Sequence, residues 1–187
     1  VVLWGDERCV PPDAAESNYR MAREALLDHV AVRPENVHRI LGEADPATAA
    51  AKYEATLQGL FGTPTGPPRP GAGTAIDLVL LGLGADGHTA SIFPGSAAAR
   101  ERSSWVVAEY ESAVSMWRIT LTTGVINAAA AVTFIVSGSA KAGILARVLQ
   151  KALGGTELPA QLIAPSVGRL HWLVDAAAAA RLDDVPS

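Results

Sequence analysis

The chain has 187 residues, enough to bury one hydrophobic core, so we expect a single domain over residues 1–187. Its net charge of −4 and the lack of a Lys/Arg cluster argue against a nucleic-acid surface. No apolar run approaches the roughly 20 residues that span a membrane, and a single cysteine, Cys9, is typical of a reducing cytoplasm.

Strand and helix patterns alternate through the first part of the chain. The apolar residues Val1–Trp4 predict a strand, and because a domain rarely begins inside a buried strand, we expect an N-terminal portion to be missing. Apolar residues at helical spacing predict a helix from about Asp13 to His29, followed by a short strand over Val37–Leu41. A second helix is predicted over Ala47–Leu60, and the stretch Gly62–Gly73, rich in Pro and Gly, predicts an exposed loop.

The alternation continues to the C-terminus. The apolar run Ile76–Leu83 is typical of a fully buried parallel strand. The later elements are predicted as strands over Trp105–Glu109, Trp117–Thr122, Ala131–Val136 and Leu170–Val174, and as helices over Ala140–Leu153 and Ala176–Ala180. We therefore predict an α/β fold: an open, mainly parallel Rossmann-like sheet with helices on both faces, apparently lacking its N-terminal βα portion. Trp4, Trp117 and Trp172 alternate with apolar neighbours, which places them in the core.

The loop that follows this predicted buried strand concentrates candidate chemistry. Gly82 and Gly84 are followed within a few residues by Asp86, Gly87 and His88. In open α/β sheets ligands bind at the carboxyl ends of strands, so a carboxylate and an imidazole stand where a small-molecule site is expected. Imidazole is suited to proton transfer near neutral pH. Simpler alternatives stay open, because a lone histidine can be structural and an aspartate can support the glycine bend.

Basic residues near other strand ends are candidate anion ligands. Arg8 can donate two parallel hydrogen bonds to a phosphate or an oxyanion, although a surface ion pair with Asp6 or Glu7 is the alternative. Arg118 and Lys141 are weaker candidates for a phosphate. Lys141 gains from a predicted helix N-terminus, yet both side chains could equally be ordinary solvated charges.

Other polar residues and the glycines have less specific signals. Asn18 is a candidate site-lining amide, but it fits a helix start nearly as well. The Gly-x-Gly of the loop is not a dinucleotide fingerprint, because the third glycine and the later acidic residue are out of register. It is most simply a backbone device that allows positive φ and close ligand approach. His29, His38 and His171 lack partners at metal-ligand spacing, so no metal site is expected.

Four segments of the chain resemble 6-phosphogluconolactonases, a family that shares its fold with glucosamine-6-phosphate deaminases. They read GDER with the following VPP and SNYRMAREALL, then GLGADGHTASIFPGS, WRITLTTGVINAA and FIVSGSAKAGIL. The resemblance implies hydrolysis of 6-phospho-D-glucono-1,5-lactone to 6-phosphogluconate in the oxidative pentose phosphate pathway, without a cofactor. Family members usually begin with a further strand, a helix and a glycine/serine-rich loop, so we expect an incomplete sheet edge through which chains could associate.

The resemblance also implies roles for the residues already singled out. His88 would be the general base that activates water, Asp86 would orient the imidazole or bind sugar hydroxyls, and Asp6 would be a third catalytic residue. The implied substrate- and phosphate-binding residues are Arg8, Asn18, Gly84, Gly87, Arg118 and Lys141. Deaminases place a glutamate before the loop proline, whereas this chain has Phe93, which favours lactone hydrolysis. A deaminase and a non-catalytic sugar-phosphate sensor remain the alternatives.

Overall fold

A computed structural model describes residues 1–62, 76–150 and 157–182 of the chain. The strands are β1 (Val2–Leu3), β2 (Asp6–Arg8), β3 (Val37–His38), β4 (Val79–Leu81), β5 (Val106–Glu111), β6 (Met116–Leu121), β7 (Ala131–Val136) and β8 (Arg169–Val174). The α-helices are α1 (Asn18–Ala25), α2 (Pro46–Phe61), α3 (Ala97–Arg100), α4 (Thr123–Asn127) and α5 (Ala142–Gln150). Short 3-10 turns cover Leu27–His29, Pro34–Asn36, Ser112–Val114, Ser139–Lys141 and Pro159–Leu162.

The strands form three small sheets. β1 pairs with β3 in parallel, and β4, β7 and β8 form a parallel sheet in the order β4-β7-β8. The third sheet, in the order β2-β6-β5, is antiparallel throughout. The predicted α/β class with mainly parallel pairing is confirmed, and the antiparallel sheet is an addition that strand–helix alternation did not reveal.

The hydrophobic core lies against one face of the parallel sheet. Leu81 of β4 and Phe134 of β7 are register partners, and both are buried. Trp4 is buried in the core, as predicted. Trp172 of β8 is half-buried and packs against the core, where it stacks on Phe134 with ring centroids 4.0 Å apart. Tyr53 of α2 fixes Trp4 by accepting from its backbone N–H (2.8 Å) and donating to its carbonyl (3.1 Å).

Trp117 is the exception, because it is 45% exposed on β6. Its ring contacts Tyr110 of β5 edge to face at 5.4 Å, as its cross-strand register partner. Strand side chains alternate between the two faces of a sheet. Trp117 therefore lies on the outer face of the antiparallel sheet, and the core prediction for it was wrong.

The strand predicted to be fully buried, Ile76–Leu83, is buried on one face only. Val79 and Leu81 point into the core, whereas Leu78 and Leu80 are 52% and 59% exposed. Ile135 of β7 is likewise 52% exposed. An apolar run of this kind does not distinguish a sheet covered on both faces from a sheet covered on one.

Helix boundaries differ from the sequence prediction where local hydrogen bonds intervene. α1 begins at Asn18 because Ser17 caps it, its hydroxyl accepting from the Arg20 N–H, and it ends by Leu26, whose φ of −137° is not helical. After Asp175 the described residues form hydrogen-bonded turns, so the predicted terminal helix was wrong. The Asp175 carboxylate accepts from the Ala178 N–H, which closes the first of these turns. Residues 63–73 of the predicted loop and 151–153 of the predicted helix lie outside the described residues.

Candidate functional site

His88 and Asp86 form a close pair in the loop that leaves the carboxyl end of β4. One carboxylate oxygen of Asp86 accepts from the His88 backbone N–H (3.0 Å) and lies 2.6 Å from His88 Nδ1. Burial alone would raise the pKa of Asp86, but hydrogen bonds from the His88 backbone and ring hold it below its ordinary value. An ionised Asp86 fixes the tautomer with hydrogen on Nδ1, which leaves Nε2 free to accept a proton.

Two glycines shape this loop around the His88 ring. The Gly84 N–H donates to the His88 carbonyl (2.8 Å), and a Cβ at Gly84 would overlap the imidazole. Gly87 has a φ of +87°, and its carbonyl accepts from the Ala160 N–H (3.0 Å). A Cβ at Gly87 would also lie 3.1 Å from the Leu158 side chain. Gly84 gives the ring room, and Gly87 supplies a backbone conformation that other residues rarely adopt.

Asp6 lies across from this loop on β2, and each oxygen of its carboxyl group accepts a hydrogen bond. One oxygen accepts from the Ser91 hydroxyl (2.6 Å), and the other accepts from the Asn18 amide (3.1 Å). Burial raises the pKa of Asp6, while the Ser91 hydrogen bond and the positive charges of Arg8 and Arg118 oppose that increase. Asp6 therefore connects three segments of the site and leaves little of its carboxyl group open.

Arg8 and Arg118 are register partners on β2 and β6, so two guanidinium groups extend from neighbouring strands. Both Nε atoms are buried and have no hydrogen-bond partner among the described residues, although Arg8 Nη1 donates to the Glu16 carbonyl. Burial and the neighbouring Arg8 charge lower the pKa of Arg118. Two adjacent cations with unpartnered donors are suited to an anion.

The proposed surface ion pair of Arg8 does not form within the described residues. Glu7 instead accepts from the backbone N–H groups of Asn18 and Tyr19, both at 2.7 Å, and from the Ser17 hydroxyl at 3.1 Å. This carboxylate is buried and stabilises the first turn of α1, where free N–H groups favour negative charge. Glu7 is thus a structural residue, and Arg8 is left for the site.

Phe93 joins the arginine pair to the histidine. Its ring lies 4.6 Å from the His88 ring between centroids, and its centroid is 6.0 Å from the guanidinium carbon of Arg118. A cation at this distance from an aromatic face is weakly attracted to it. The sequence predictions therefore come together in one place for His88, Asp86, Asp6, Arg8 and Arg118.

Asn18 and Lys141 differ in how closely the structure ties them to this place. The Asn18 amide donates to both the carbonyl (2.9 Å) and the carboxylate of Asp6, so it holds Asp6 in position. Lys141 lies in the 3-10 turn Ser139–Lys141 after β7, and β7 is the parallel neighbour of β4. Lys141 thus lies at the same sheet edge as His88, and no hydrogen bond or ion pair of its side chain is found among the described residues.

Sequence reasoning missed Ser91, which is fully buried, and Thr120 of β6, whose hydroxyl accepts from the Ser91 N–H (3.3 Å). Small hydroxyl residues in a loop are usually exposed, so no pattern in the sequence singled them out. Phe93 was noticed only as a difference from deaminases. Its contact with His88 depends on the turn of the loop.

The described residues contain neither a metal-binding cluster nor a membrane-spanning helix, and their one cysteine is a free thiol. No group of three His, Cys, Asp or Glu side chains there is arranged to hold a metal ion. Of the described helices, none combines the length and apolar character needed to cross a bilayer. Cys9 is a half-buried free thiol, and burial raises its pKa to about 11, so it stays protonated at neutral pH.

A histidine–carboxylate pair at the edge of a parallel sheet, linked through the Phe93 ring to a pair of arginines, is typical of an α/β protein with a site for a small anionic molecule. Residues 1–172 match the family described as glucosamine-6-phosphate isomerases/6-phosphogluconolactonase. The chain belongs to that family.

Individual relatives agree with this assignment. The chain is 43% identical to a 6-phosphogluconolactonase of Nostoc over 97% of its own length and 72% of the relative's, and 34% identical to that of Haemophilus influenzae over 94% and 71%. Among solved structures, 6-phosphogluconolactonase from Trypanosoma cruzi is 34% identical, with a TM-score of 0.82 over 96% of this chain and 71% of that one. A monomeric glucosamine-6-phosphate deaminase is 21% identical with a TM-score of 0.73, which shows a shared fold alone.

Proposed function

We propose that this protein hydrolyses 6-phospho-D-glucono-1,5-lactone to 6-phosphogluconate, as part of the oxidative pentose phosphate pathway. Relatives named 6-phosphogluconolactonase at 43% and 34% identity support the proposal. The observation that carries it is the His88–Asp86 pair, linked through Phe93 to two arginines whose Nε donors have no partner within residues 1–62, 76–150 and 157–182. A single free cysteine, Cys9, suits a reducing cytoplasmic location.

His88 is the general base of the proposed reaction. Nε2 takes a proton from a water molecule as the water oxygen attacks C1 of the lactone. The bond between C1 and the ring oxygen then breaks, and the imidazolium returns its proton to that oxygen as it leaves. Asp86 holds Nδ1–H throughout and stabilises the imidazolium, as the carboxylate does in hydrolases with a histidine base, although here the carboxylate is 49% exposed. Water has then been added across the ester bond, and no other reactant is needed.

The arginines bind the phosphate and help to stabilise the oxyanion. Arg8 and Arg118 have buried Nε–H donors that a phosphate or oxyanion oxygen can satisfy, and such charge-assisted bonds are about twice as strong as neutral ones. Lys141 adds a flexible charge at the same sheet edge. Asn18 and Gly84 act on the substrate indirectly, through Asp6 and the His88 ring.

Asp6 contributes as a carboxyl group between these cations. Its position next to Arg8 and Arg118 reduces their mutual repulsion, and this keeps two guanidinium groups side by side without an anion bound. We assign it to holding the arginine pair and the loop, in place of direct proton transfer, because both of its oxygens already accept hydrogen bonds.

An assay on two substrates tests the proposal. We expect the protein to accelerate hydrolysis of 6-phospho-D-glucono-1,5-lactone above the spontaneous rate and to leave glucosamine 6-phosphate unchanged. His88→Asn should lower kcat by about 10²- to 10⁴-fold. His171→Asn, at an exposed position on β8, is the matched control and should match the unsubstituted protein. Deaminase activity, binding without turnover, or an active His88→Asn variant would each contradict the proposal.

A further inference from the structure

The loop that carries His88 turns sharply just after it, over Thr89–Ile92. The Ile92 N–H donates to the Thr89 carbonyl (2.9 Å), and these two residues also form an isolated antiparallel bridge. Within the turn Ala90 has a φ of +48°, a conformation that residues with a Cβ rarely adopt. Such a conformation persists only where surrounding contacts impose it.

Side-chain hydrogen bonds at both neighbours of Ala90 impose this conformation. The Thr89 hydroxyl donates to the Gly82 carbonyl (2.9 Å), which closes the loop on its own beginning. Ser91 makes the contacts that reach other strands. Its N–H donates to Thr120 on β6 (3.3 Å), and its hydroxyl donates to Asp6 on β2 (2.6 Å).

The Ser91–Asp6 bond therefore links the loop that carries His88 directly to the antiparallel strands that carry the two arginines. Ser91 has no exposed surface, so its hydroxyl makes this bond without competition from water. Asp6 belongs to the strand pair that carries Arg8 and Arg118, and Ser91 lies three residues after His88. A short hydroxyl-to-carboxylate bond of this kind is charge-assisted and directional.

We propose that Ser91 is a positioning residue, whose hydroxyl holds the His88 turn against β2 at a fixed distance from the two arginines. This inference rests on the proposed function. Ser91 does not touch the reacting atoms; it acts through His88. Displacement of a reacting group by about 1 Å can lower a rate by about 10²-fold, so a loosened turn should be visible in kcat.

Ser91→Ala is the test, because it removes one oxygen and leaves the backbone free to keep its shape. We expect kcat to fall by about 10- to 100-fold, with KM changed by less than about threefold. The matched control is Thr122→Val, which removes another buried hydroxyl, bonded to the Ser104 carbonyl (2.9 Å). Thr122→Val should keep the kcat of the unsubstituted protein, while its Tm should fall by an amount similar to the fall in Ser91→Ala.

Hydrogen exchange supplies a readout that does not depend on activity. The Gly84 N–H bonds to the His88 carbonyl and the Ile92 N–H bonds to the Thr89 carbonyl, so both amides report on the turn. We expect Ser91→Ala to speed their exchange by about tenfold or more, and Thr122→Val to leave it unchanged. If Ser91→Ala does not fold, Ser91→Cys takes its place, because cysteine is a larger and weaker donor. In that variant too, kcat should fall and exchange at the two amides should become faster.

The outcomes separate this inference from the proposed function. Unchanged exchange at both amides overturns the positioning role, whatever the activity. Faster exchange with unchanged kcat also overturns it, because the turn would then not control His88. If the unsubstituted protein lacks lactonase activity, the proposed function fails and exchange alone decides whether Ser91 holds the turn.

Discussion

The parallel sheet β4-β7-β8 and the antiparallel sheet β2-β6-β5 are the same size, but they carry different residues to the site. β4 and β7 are almost wholly apolar, and the chemistry of β4 lies beyond its carboxyl end, in the His88 loop. β2 and β6 instead carry charged side chains within the strands themselves, including Asp6, Arg8 and Arg118.

The two sheets therefore contribute to the site in different ways. At the carboxyl end of β4, the conformation of the glycine-containing loop determines the position of the proton-transfer group. Paired strands fix the spacing of two like charges, because register determines which residues face each other. The Ser91–Asp6 hydrogen bond joins the two arrangements, and substitutions on either side should therefore have different kinetic signatures.

Among the substitutions that compare the two sheets, Gly84→Ala should lower kcat most, and it should act only on the loop at the carboxyl end of the parallel sheet. The added Cβ overlaps the His88 ring, which must rotate or shift, so we expect kcat to fall by about 100-fold with KM little changed. Gly82→Ala is the matched control, since apart from its chain neighbours no atom of the described residues lies within 4 Å of a Cβ there. Steady-state kinetics on both variants measures this, and equal kcat values would show that the ring position does not matter.

Arg8→Lys should have a smaller effect and act on the antiparallel side. A lysine cannot reproduce the planar pair of donors, so we expect kcat/KM to fall by about tenfold, mainly through a higher KM. Arg20→Lys, on α1 and ion-paired with Glu24, is the control for a loss of arginine at the surface. A kcat/KM for Arg8→Lys equal to that of the control would remove Arg8 from substrate binding.

The sequence was informative about which residues form the site and less so about how they are held. The loop Gly82–His88 and the arginine on β2 were found because a strand end and its glycines leave a local pattern. The antiparallel pairing of β2 with β6 could not be found in this way, because it joins residues over 100 positions apart. The role of Ser91 depends on that pairing, since its partners lie on β2 and β6. The role of Glu7 depends on the return of the chain to α1, whose first N–H groups its carboxylate accepts from.

The two carboxyl groups Asp86 and Asp6 should affect stability oppositely as pH changes. The pKa of Asp86 is lowered in the folded protein, so its contribution is present above the unfolded value near 3.8 and is lost as pH falls through the folded pKa. The pKa of Asp6 is raised, so folding becomes less favourable as pH rises from 3.8 through the folded value.

Thermal unfolding of Asp86→Asn and Asp6→Asn from about pH 3 to pH 8 tests these directions. The Tm advantage of the unsubstituted protein over Asp86→Asn should grow as pH rises. Its advantage over Asp6→Asn should shrink over the same interval. If the Tm difference changed with pH at the same slope for both variants, the folded-state pKa values of the two carboxyl groups would not be shifted in opposite directions. The two groups would then not differ in their electrostatic contribution to stability.

Substitutions on the outer face of the parallel sheet should have the smallest effect on catalysis. That face lies opposite the core and carries none of the site residues described above. Leu80, Ile135 and Leu173 are 59%, 52% and 60% exposed there, and Ile135 and Leu173 are register partners. Parallel sheets are usually covered on both faces, and exposed apolar patches favour association. We therefore expect the 187-residue chain to self-associate through this face as its concentration rises.

Leu80→Glu and Leu173→Glu should shift sedimentation toward the monomer while kcat stays within about twofold of the unsubstituted protein. Tyr110→Glu, at an exposed position on the antiparallel sheet, is the control and should leave association unchanged. If the three variants dissociate equally, general charge repulsion explains the effect. If the unsubstituted chain is already monomeric at every concentration, the exposed leucines do not drive association, and the contrast between the two sheets is confined to the site.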